Sequence, residues 1–429
     1  RTYSFYDTLN RFLIYSGYNV TYLQNVTDVG HLFDTGEDKI LKKAKEEHKS
    51  PIEIATHYLD HWLAMMDRLR IRRPDLMPRA TDHVNEIIDQ VQKIIKNGYA
   101  YVSHGSVYFD LNKFKDYGKL SKSIPKELVE GIRIAVNPEK KDAKDFALWI
   151  KAPELHALKW ESPWGMGYPG WHIEDTAIAV KYFGPQYDLH GGGLELAFPH
   201  HEAEIAQAET ATGKKPFVKY WVHTGTLTIN KQKMAKSIGN VVAISDVLDK
   251  WSPETLRLWI ASTHYRKPLD YNENDLSVAS KKVERIRATL EKIREAKPGK
   301  KSLLSNKILK LKKDFLKAME DDMNTPLALT KYFEIISLVN KNIDQDKISK
   351  SDLKLAEKTI YELGEFFQIV PEIKKKEIAK EAMDLIKKRN AARIVGNFEV
   401  ADQLRKELKD KYGIIIEDTP DGVKWKFTD

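Results

Sequence analysis

The chain has no cysteine in 429 residues, so neither a disulfide nor a thiolate metal ligand exists within it. No apolar run approaches eighteen residues, which argues against a membrane-spanning helix. Internal repeats are absent. The opening R-T-Y-S-F-Y-D carries neither an initiator methionine nor a signal-peptide pattern, so a cytoplasmic enzyme is the default expectation. What is present is enough apolar residue, 42%, to bury sizeable cores, in a chain long enough for two to four units. The net charge is +8, from 70 basic and 62 acidic residues. That balance permits a polyanionic partner, although solvated lysine-rich helices account for it equally well. The basic residues concentrate at 281–317 and after 374, away from the glycine-rich segment.

Along the chain, Phe5, Leu9, Phe12 and Leu13 share one face of an opening helix that stops at Gly17. A strand is expected at 20–23, followed by the polar turn N-V-T-D that contains Thr27. Ser50-Pro51-Ile52-Glu53 is a capping box with proline at the first helical position, so a new helix starts there. Val84, Ile87, Ile88, Val91, Ile94 and Ile95 form an apolar stripe ended by Gly98. Two short strands turning at His104-Gly105 follow, and then a polar stretch from 113 to 144 without sustained periodicity. Helices at 175–182 and from 199, with strands at 187–189 and 221–223, restore an α/β pattern. After Lys297-Pro298-Gly299-Lys300 the chain reads as helix to about 368, and it ends in a helix and two strands around D-T-P-D-G.

Two segments carry the chemistry. In the first, H-G-G-G-L-E-L-A-F-P-H-H-E-A-E, His200 and Glu204 stand at i and i+4, where a helix presents both on one face. Such a pair commonly supplies two zinc ligands, with Asp175 upstream as a third; it also occurs as the charged start of an ordinary helix. Gly191 and Gly192, directly after a strand, are expected to expose backbone amides at a sheet end. In the second segment, K-M-A-K-S-I-G-N, Lys233 and Lys236 can neutralise charge on a triphosphate as pyrophosphate departs. Taken singly, Trp171 reads equally as a core aromatic, His223 as a strand-end histidine and Thr27 as a turn hydroxyl.

Read in order, N-V-T-D-V, P-G-W-H-I-E, D-L-H-G-G-G, F-P-H-H-E-A-E-I-A-Q, K-M-A-K-S-I-G-N, H-Y-R-K-P-L-D-Y, D-D-M-N-T-P-L-A-L and E-D-T-P-D-G-V-K-W resemble the cysteinyl-tRNA synthetases over nearly the whole chain. The resemblance implies an α/β fold: a Rossmann-type class I catalytic domain with a connective insertion, an α-helical bundle of the D-A-L-R type and a small α+β C-terminal domain. In these terms 1–75 is the first half of the catalytic domain, 76–150 the insertion and 151–225 the second half. Residues 226–295 form a lysine-loop and stem-contact region, 296–372 the bundle and 373–429 the anticodon-binding domain. The implied reaction activates cysteine with ATP and Mg, then passes the cysteinyl group to tRNA(Cys). Lys233 and Lys236 match the catalytic lysine loop, with Lys236, Gly191 and Gly192 toward ATP. Thr27, Trp171 and His190 match positions that line the amino-acid pocket. His200 and Glu204 match two of the family's four zinc ligands, and zinc there tells a thiol from a hydroxyl. Arg389, Arg393 and Trp425 are the candidate tRNA contacts, although Trp425 fits equally a packing role between helix and strand. A monomer is expected.

Two departures from the family pattern stand out. An H-I-G-H type motif and a zinc-binding cysteine would precede Arg1, so the chain reads as N-terminally truncated, without its first strand, and inactive in activation. The family's cysteine in W-H-I-E-C falls on Asp175, a harder oxygen ligand. Either zinc is retained with Asp175, which the surviving His200 and Glu204 favour, or the metal is weakened or lost. Two other readings compete. One is a mycothiol-type cysteine ligase, which lacks the C-terminal module; the other is a non-catalytic RNA-binding paralogue, which the intact lysine loop opposes.

Overall fold

The stripe at 84–95 forms the helix Val84–Lys96, and its buried Val84, Ile87, Val91 and Ile94 seat it on the main core. Each such side chain removed from water contributes roughly 1.5–3 kcal/mol. Gly98 ends the helix at φ +82, where a side chain would be strained, and Tyr99 N–H closes back on the Ile94 carbonyl at 3.1 Å. The computed structural model describes residues 1–29, 39–122, 137–154, 156–170, 172–234, 239–299, 304–373, 379–419 and 422–427. It divides the chain into two units, Arg1–Pro371 and Glu372–Asp429.

In the first unit the helix 84–96 packs on Ile173–Phe183 and Glu202–Thr212, the two helices that later carry the site. Beside them lies an antiparallel sheet of Ala100–Ser103, Ser106–Phe109, Phe146–Lys151 and Gly167–Pro169 in sequential order. Phe109, Leu148 and Trp149 fill the interface with Ile173 and Ile205. The sheet continues to Pro169, so the boundary expected at 150 falls inside it, because Trp149, Ile150 and Lys151 pair with 167–169. A buried polar chain ties the same three helices together. Gln90 Nε2 donates to Thr176 Oγ1 at 2.6 Å, and Thr176 Oγ1 donates to Gln207 Oε1 at 3.2 Å.

Tyr187–Gly193 and Val218–Thr224 pair in parallel, the βαβ arrangement of a nucleotide-binding sheet. This corrects one expectation: the glycines do not follow the strand but lie within it, Gly191 opposite Val222 and Gly192 opposite His223. Crowding is the reason for glycine. A Cβ at Gly191 would stand 1.9 Å from the Tyr6 hydroxyl, which itself donates to the Val222 carbonyl at 2.6 Å. The strand expected at 20–23 is also corrected. That segment makes only isolated parallel bridges, Leu23 to Leu76 and Val26 to Arg79. Pro74 and Pro78 supply no N–H on the facing segment, so a continuous ladder cannot form.

The capping box is as read: Glu53 N–H reaches the Ser50 hydroxyl at 3.2 Å and Ser50 N–H reaches the Glu53 carboxylate at 2.8 Å, opening Pro51–Arg68. The opening helix Thr2–Tyr15 buries Phe5, Leu9 and Phe12 and also Asp7. Asp7 meets the buried Arg257 of Pro253–Ala261 at 2.5 Å, and Arg257 also donates to the Phe367 carbonyl at 2.6 Å and the Leu69 carbonyl at 3.3 Å. One guanidinium therefore joins four separate segments. Glu273–Glu295 packs on Pro253–Ala261 and on the bundle helices Thr325–Ile343 and Lys350–Glu365; Leu304–Glu320 packs on the same two bundle helices.

In the second unit, helices Lys380–Ile394 and Phe398–Tyr412 pack with the hairpin Ile414–Thr419/Gly422–Phe427 around Ala382, Ile386, Leu408, Ile414 and Ile416.

Asp7→Ala would leave the Arg257 guanidinium buried without a counter-charge. The expected loss is about 3–5 kcal/mol, read from the denaturant midpoint of the purified variant. A loss below about 1 kcal/mol would show that the pair is not a structural anchor.

Candidate active site

Asp175 lies in the first turn of Ile173–Phe183, and His200 lies in the turn Ala197–His201 that leads into Glu202–Thr212, which carries Glu204. Because the common core clamps both helices, the three side chains converge. His200 Nε2 stands 3.1 Å from Asp175 Oδ2 and 2.9 Å from Glu204 Oε1. The second Glu204 oxygen faces His190 Nε2 at 3.5 Å. Glu204 is 1% exposed, and its Oε1 has no hydrogen-bond partner. A buried carboxylate oxygen left over beside an aspartate and an imidazole is a donor set suited to a divalent cation. Ligand atoms of Asp175, His200 and Glu204 all lie within 4.8 Å of one another, as do those of His190, His201 and Glu204.

The histidines fall into two electrostatic kinds. Burial by itself would depress His200, yet the facing Glu204 and Asp175 push its pKa up to about 11. Burial, reinforced by the neighbouring imidazoles, holds His201 far below the ordinary range. Burial and His200 do the same to His172. His172 precedes the Asp175 helix at φ +85, and its Nδ1 contacts His200 Nδ1. A neutral His172 can accept there from a protonated His200, so the contact is attractive. A cation taking His200 displaces that proton. His190 is held from its other nitrogen by the Tyr187 hydroxyl, and His201 Nδ1 meets His223 Nε2 at 2.8 Å.

Thr27 sits beside this cluster. Asn25 Nδ2 contacts Thr27 Oγ1 at 3.3 Å and also donates to Asp175 Oδ1, fixing the aspartate from the side opposite His200. Asn25 was not singled out from the sequence, although its place two residues before Thr27 in N-V-T-D was visible. His172 and Tyr187 were missed as well; their signal was adjacency to Trp171 and to the H-G-G-G strand. Trp171 and Lys236 lie outside the described residues. Lys233 ends the two-residue strand Gln232–Lys233, and its side chain also lies outside them. The hairpin leading to it is anchored by Asp270, whose Oδ1 accepts from Thr228 Oγ1 and from Lys231 N–H, each at 2.7 Å.

The tail unit places its candidates apart. Arg389 is fully buried, with two nitrogens on the Asp418 carboxylate at 2.5 and 2.6 Å, so its guanidinium is already engaged and it is not a nucleic-acid contact. The expectation failed because helical spacing shows which residues share a face, not which face is covered. Arg393 is 44% exposed, lies 3.2 Å from Asp418 and sits over the Phe398 ring at 6.0 Å. Phe398 is 60% exposed, the aromatic that sequence reading passed over; N-F opening a helix beside a basic turn was its only signal. Trp425 is 38% exposed and pairs with Ile416 across the hairpin.

With this geometry in hand, comparison with known proteins is decisive. The catalytic domain of tRNA synthetases class I (C) matches residues 1–281, and the DALR domain matches 314–370. The cysteine–tRNA ligase of Carboxydothermus hydrogenoformans is 41% identical over 98% of this chain and 90% of its own length. The chain belongs to the cysteine–tRNA ligase family. The Aquifex aeolicus and Thermococcus onnurineus ligases are 40% and 41% identical, each covered to 90%. Among solved structures, Mycobacterium tuberculosis methionyl-tRNA synthetase in complex with methionyl-adenylate superposes with a TM-score of 0.60 at 15% identity, over 86% of this chain and 85% of that one. The Agrobacterium radiobacter LeuRS–tRNA–LeuAMS complex superposes with a TM-score of 0.58 at 10% identity, over 85% and 81%. These two carry the fold alone: a class I synthetase catalytic domain followed by the helical bundle. No helix among the described residues is long and apolar enough to cross a membrane.

Burial opposes and three arginines, Arg389 first, favour the charged form of Asp418, with the net effect of lowering its pKa. A depressed carboxylate contributes stability above its ordinary pKa and loses it as pH falls through the lowered value. Amide protection factors across 380–427, with the intrinsic pH dependence of exchange divided out, should therefore be flat from neutral pH to about pH 5 and drop below about pH 4. Asp418→Asn should raise exchange at neutral pH and flatten the acid limb; an unchanged limb would place the acid sensitivity elsewhere.

Proposed function

We propose that this protein ligates cysteine to tRNA(Cys) in two steps, forming cysteinyl-adenylate from cysteine and ATP-Mg and then transferring the cysteinyl group to the tRNA. The observation that carries the reading is the family match along nearly the whole chain, joined to the donor set of Asp175, His200 and Glu204.

Asp175, His200 and Glu204 would hold a zinc ion, which when bound would supply a thiophilic centre able to distinguish a cysteine side chain from serine. The donor set fits: two carboxylates and an imidazole converge, and a buried carboxylate oxygen lacks a hydrogen-bond donor. Asn25 orients Asp175, and His172 orients His200. Thr27, Trp171 and His190 line the amino-acid pocket. Lys233 and Lys236 neutralise the charge that builds on the phosphates as pyrophosphate leaves; Gly191 and Gly192 are crowded by Tyr6, Leu196 and His201 and are left out of the nucleotide site. In the tail unit, Arg393, Phe398 and Trp425 offer a cation beside exposed aromatic faces, the composition that stacks unpaired bases. The domain division follows the family order, with a bundle over 296–372 and an anticodon-binding domain over 373–429, a reading supported by the compact unit Glu372–Asp429. The protein works as a cytoplasmic monomer.

Cysteine-dependent ATP–pyrophosphate exchange by the full-length gene product, with serine as the control and zinc content measured alongside, tests this reading. Selective exchange that declines when zinc is stripped is the expected result. Equal exchange with both amino acids would remove the metal-based selection, and none with either would favour a non-catalytic RNA-binding protein.

Phe398→Ala and Trp425→Ala are expected to raise the KM for tRNA by about tenfold, the equivalent of losing one stacked base, and to leave exchange unchanged. Equal loss in both assays would remove the tail unit from tRNA recognition.

A further inference from the structure

Glu202 is a charged residue that the reaction does not use, yet it is fully buried, two residues after His200 and two before Glu204. Its carboxylate is saturated. Oε1 accepts from Leu120 N–H at 2.8 Å, Ser121 N–H at 2.7 Å and the Ser121 hydroxyl at 2.9 Å, while Oε2 accepts from Gly118 N–H at 3.0 Å. Segment 117–121 is turn, with only two backbone bonds of its own, Tyr117 N–H to the Phe114 carbonyl and Lys119 N–H to the Asp116 carbonyl at 3.3 Å each, so the Glu202 carboxylate supplies the other three backbone N–H partners. Lys119 adds a second tie to the same helix, reaching the buried Glu209 at 2.9 Å.

What the segment presents is Tyr117. Its ring stacks on Phe146 with centroids 6.4 Å apart and meets Phe198 edge-on at 6.4 Å. Phe146 in turn meets His172 edge-on at 6.2 Å, and His172 lies 4.6 Å from His200, centroid to centroid. Phe198 stands two residues before His200. A chain of ring contacts therefore runs from the clamped segment through Phe146 and His172 to His200.

We propose that Glu202 is a positioning residue of the cysteine site: by clamping segment 117–121 it holds the Tyr117–Phe146 wall against His172, and so sets His200 and Glu204 in register. The assignment rests on the functional reading above. Outer partners of a metal site tune it in this way because they fix ligand orientation without touching the ion. A glutamate is required because all four partners are donors. A glutamine would point an N–H at an N–H or at a hydroxyl, leaving at least one buried donor unsatisfied.

The test compares wild type, Glu202→Gln and Tyr117→Leu, the second removing the wall while leaving the clamp intact. Three quantities are read: the KM for cysteine, the KM for ATP, and the rate at which a chelator strips bound zinc. Both variants should raise the cysteine KM and speed zinc loss by roughly 10–100-fold, with the ATP KM within about twofold of wild type. Wild-type cysteine KM and zinc retention in both variants would overturn the proposal. So would a parallel loss for cysteine and ATP, which marks general loosening. If Glu202→Gln fails to fold, Tyr117→Leu decides alone. If wild type shows no cysteine-dependent exchange, the functional reading has failed, and zinc retention in the variants still judges the clamp.

Discussion

Glu204 is a carboxylate buried to 1% exposure, and the site is arranged around what that burial demands. A charge removed from water must be met by partners, because its desolvation otherwise costs several kcal/mol. One oxygen faces His200 and the other His190, and the first still lacks a hydrogen-bond donor. His200 is shared with Asp175, and Asp175 is held by Asn25. The demand thus travels outward from one side chain to four segments of the chain. Two carboxylates and an imidazole brought this close form a donor set that a divalent cation satisfies.

The donor set rides on two helices locked by Ile173, Ile205 and the Gln90–Thr176–Gln207 chain, so its geometry is set by the core. Asp270 in the same way holds Thr228 and Lys231 of the short hairpin that ends at Lys233. Further out, Asp322 of the turn between two bundle helices takes Tyr265 and Arg266 at 2.6 Å each, tying the bundle to the loop that leads into the strand Leu269–Tyr271.

The tail unit uses the same physics for a different end. Asp418 collects Arg389, Arg393 and Arg405, and the buried member of the three holds the hairpin to its helix. Arg393 and the exposed Phe398 ring remain at the surface. A basic residue in the tail therefore has no fixed meaning until its carboxylate partner is known.

Local rules accounted for what was legible in the sequence. The stripe at 84–95, the capping box at 50–53, the hairpin at His104-Gly105 and the His200–Glu204 spacing depend on residues a few positions apart, and each stands as read. The family, and with it the fold and the reaction, was legible because its motifs are contiguous runs. Contacts between distant residues were not. The strand reading at 20–23 failed for want of a continuous pairing partner, and the glycines at 191–193 proved to be strand positions because they pair with 222–224. Arg389 was lost to Asp418, and Asn25, His172, Phe398 and Glu202 went unremarked. Sequence by itself determined most of the helices, the family and the meeting of His200 with Glu204, since helical spacing and capping are local. Only the tertiary structure decided which charges are buried and what they meet, since desolvation depends on packing between segments far apart in the chain.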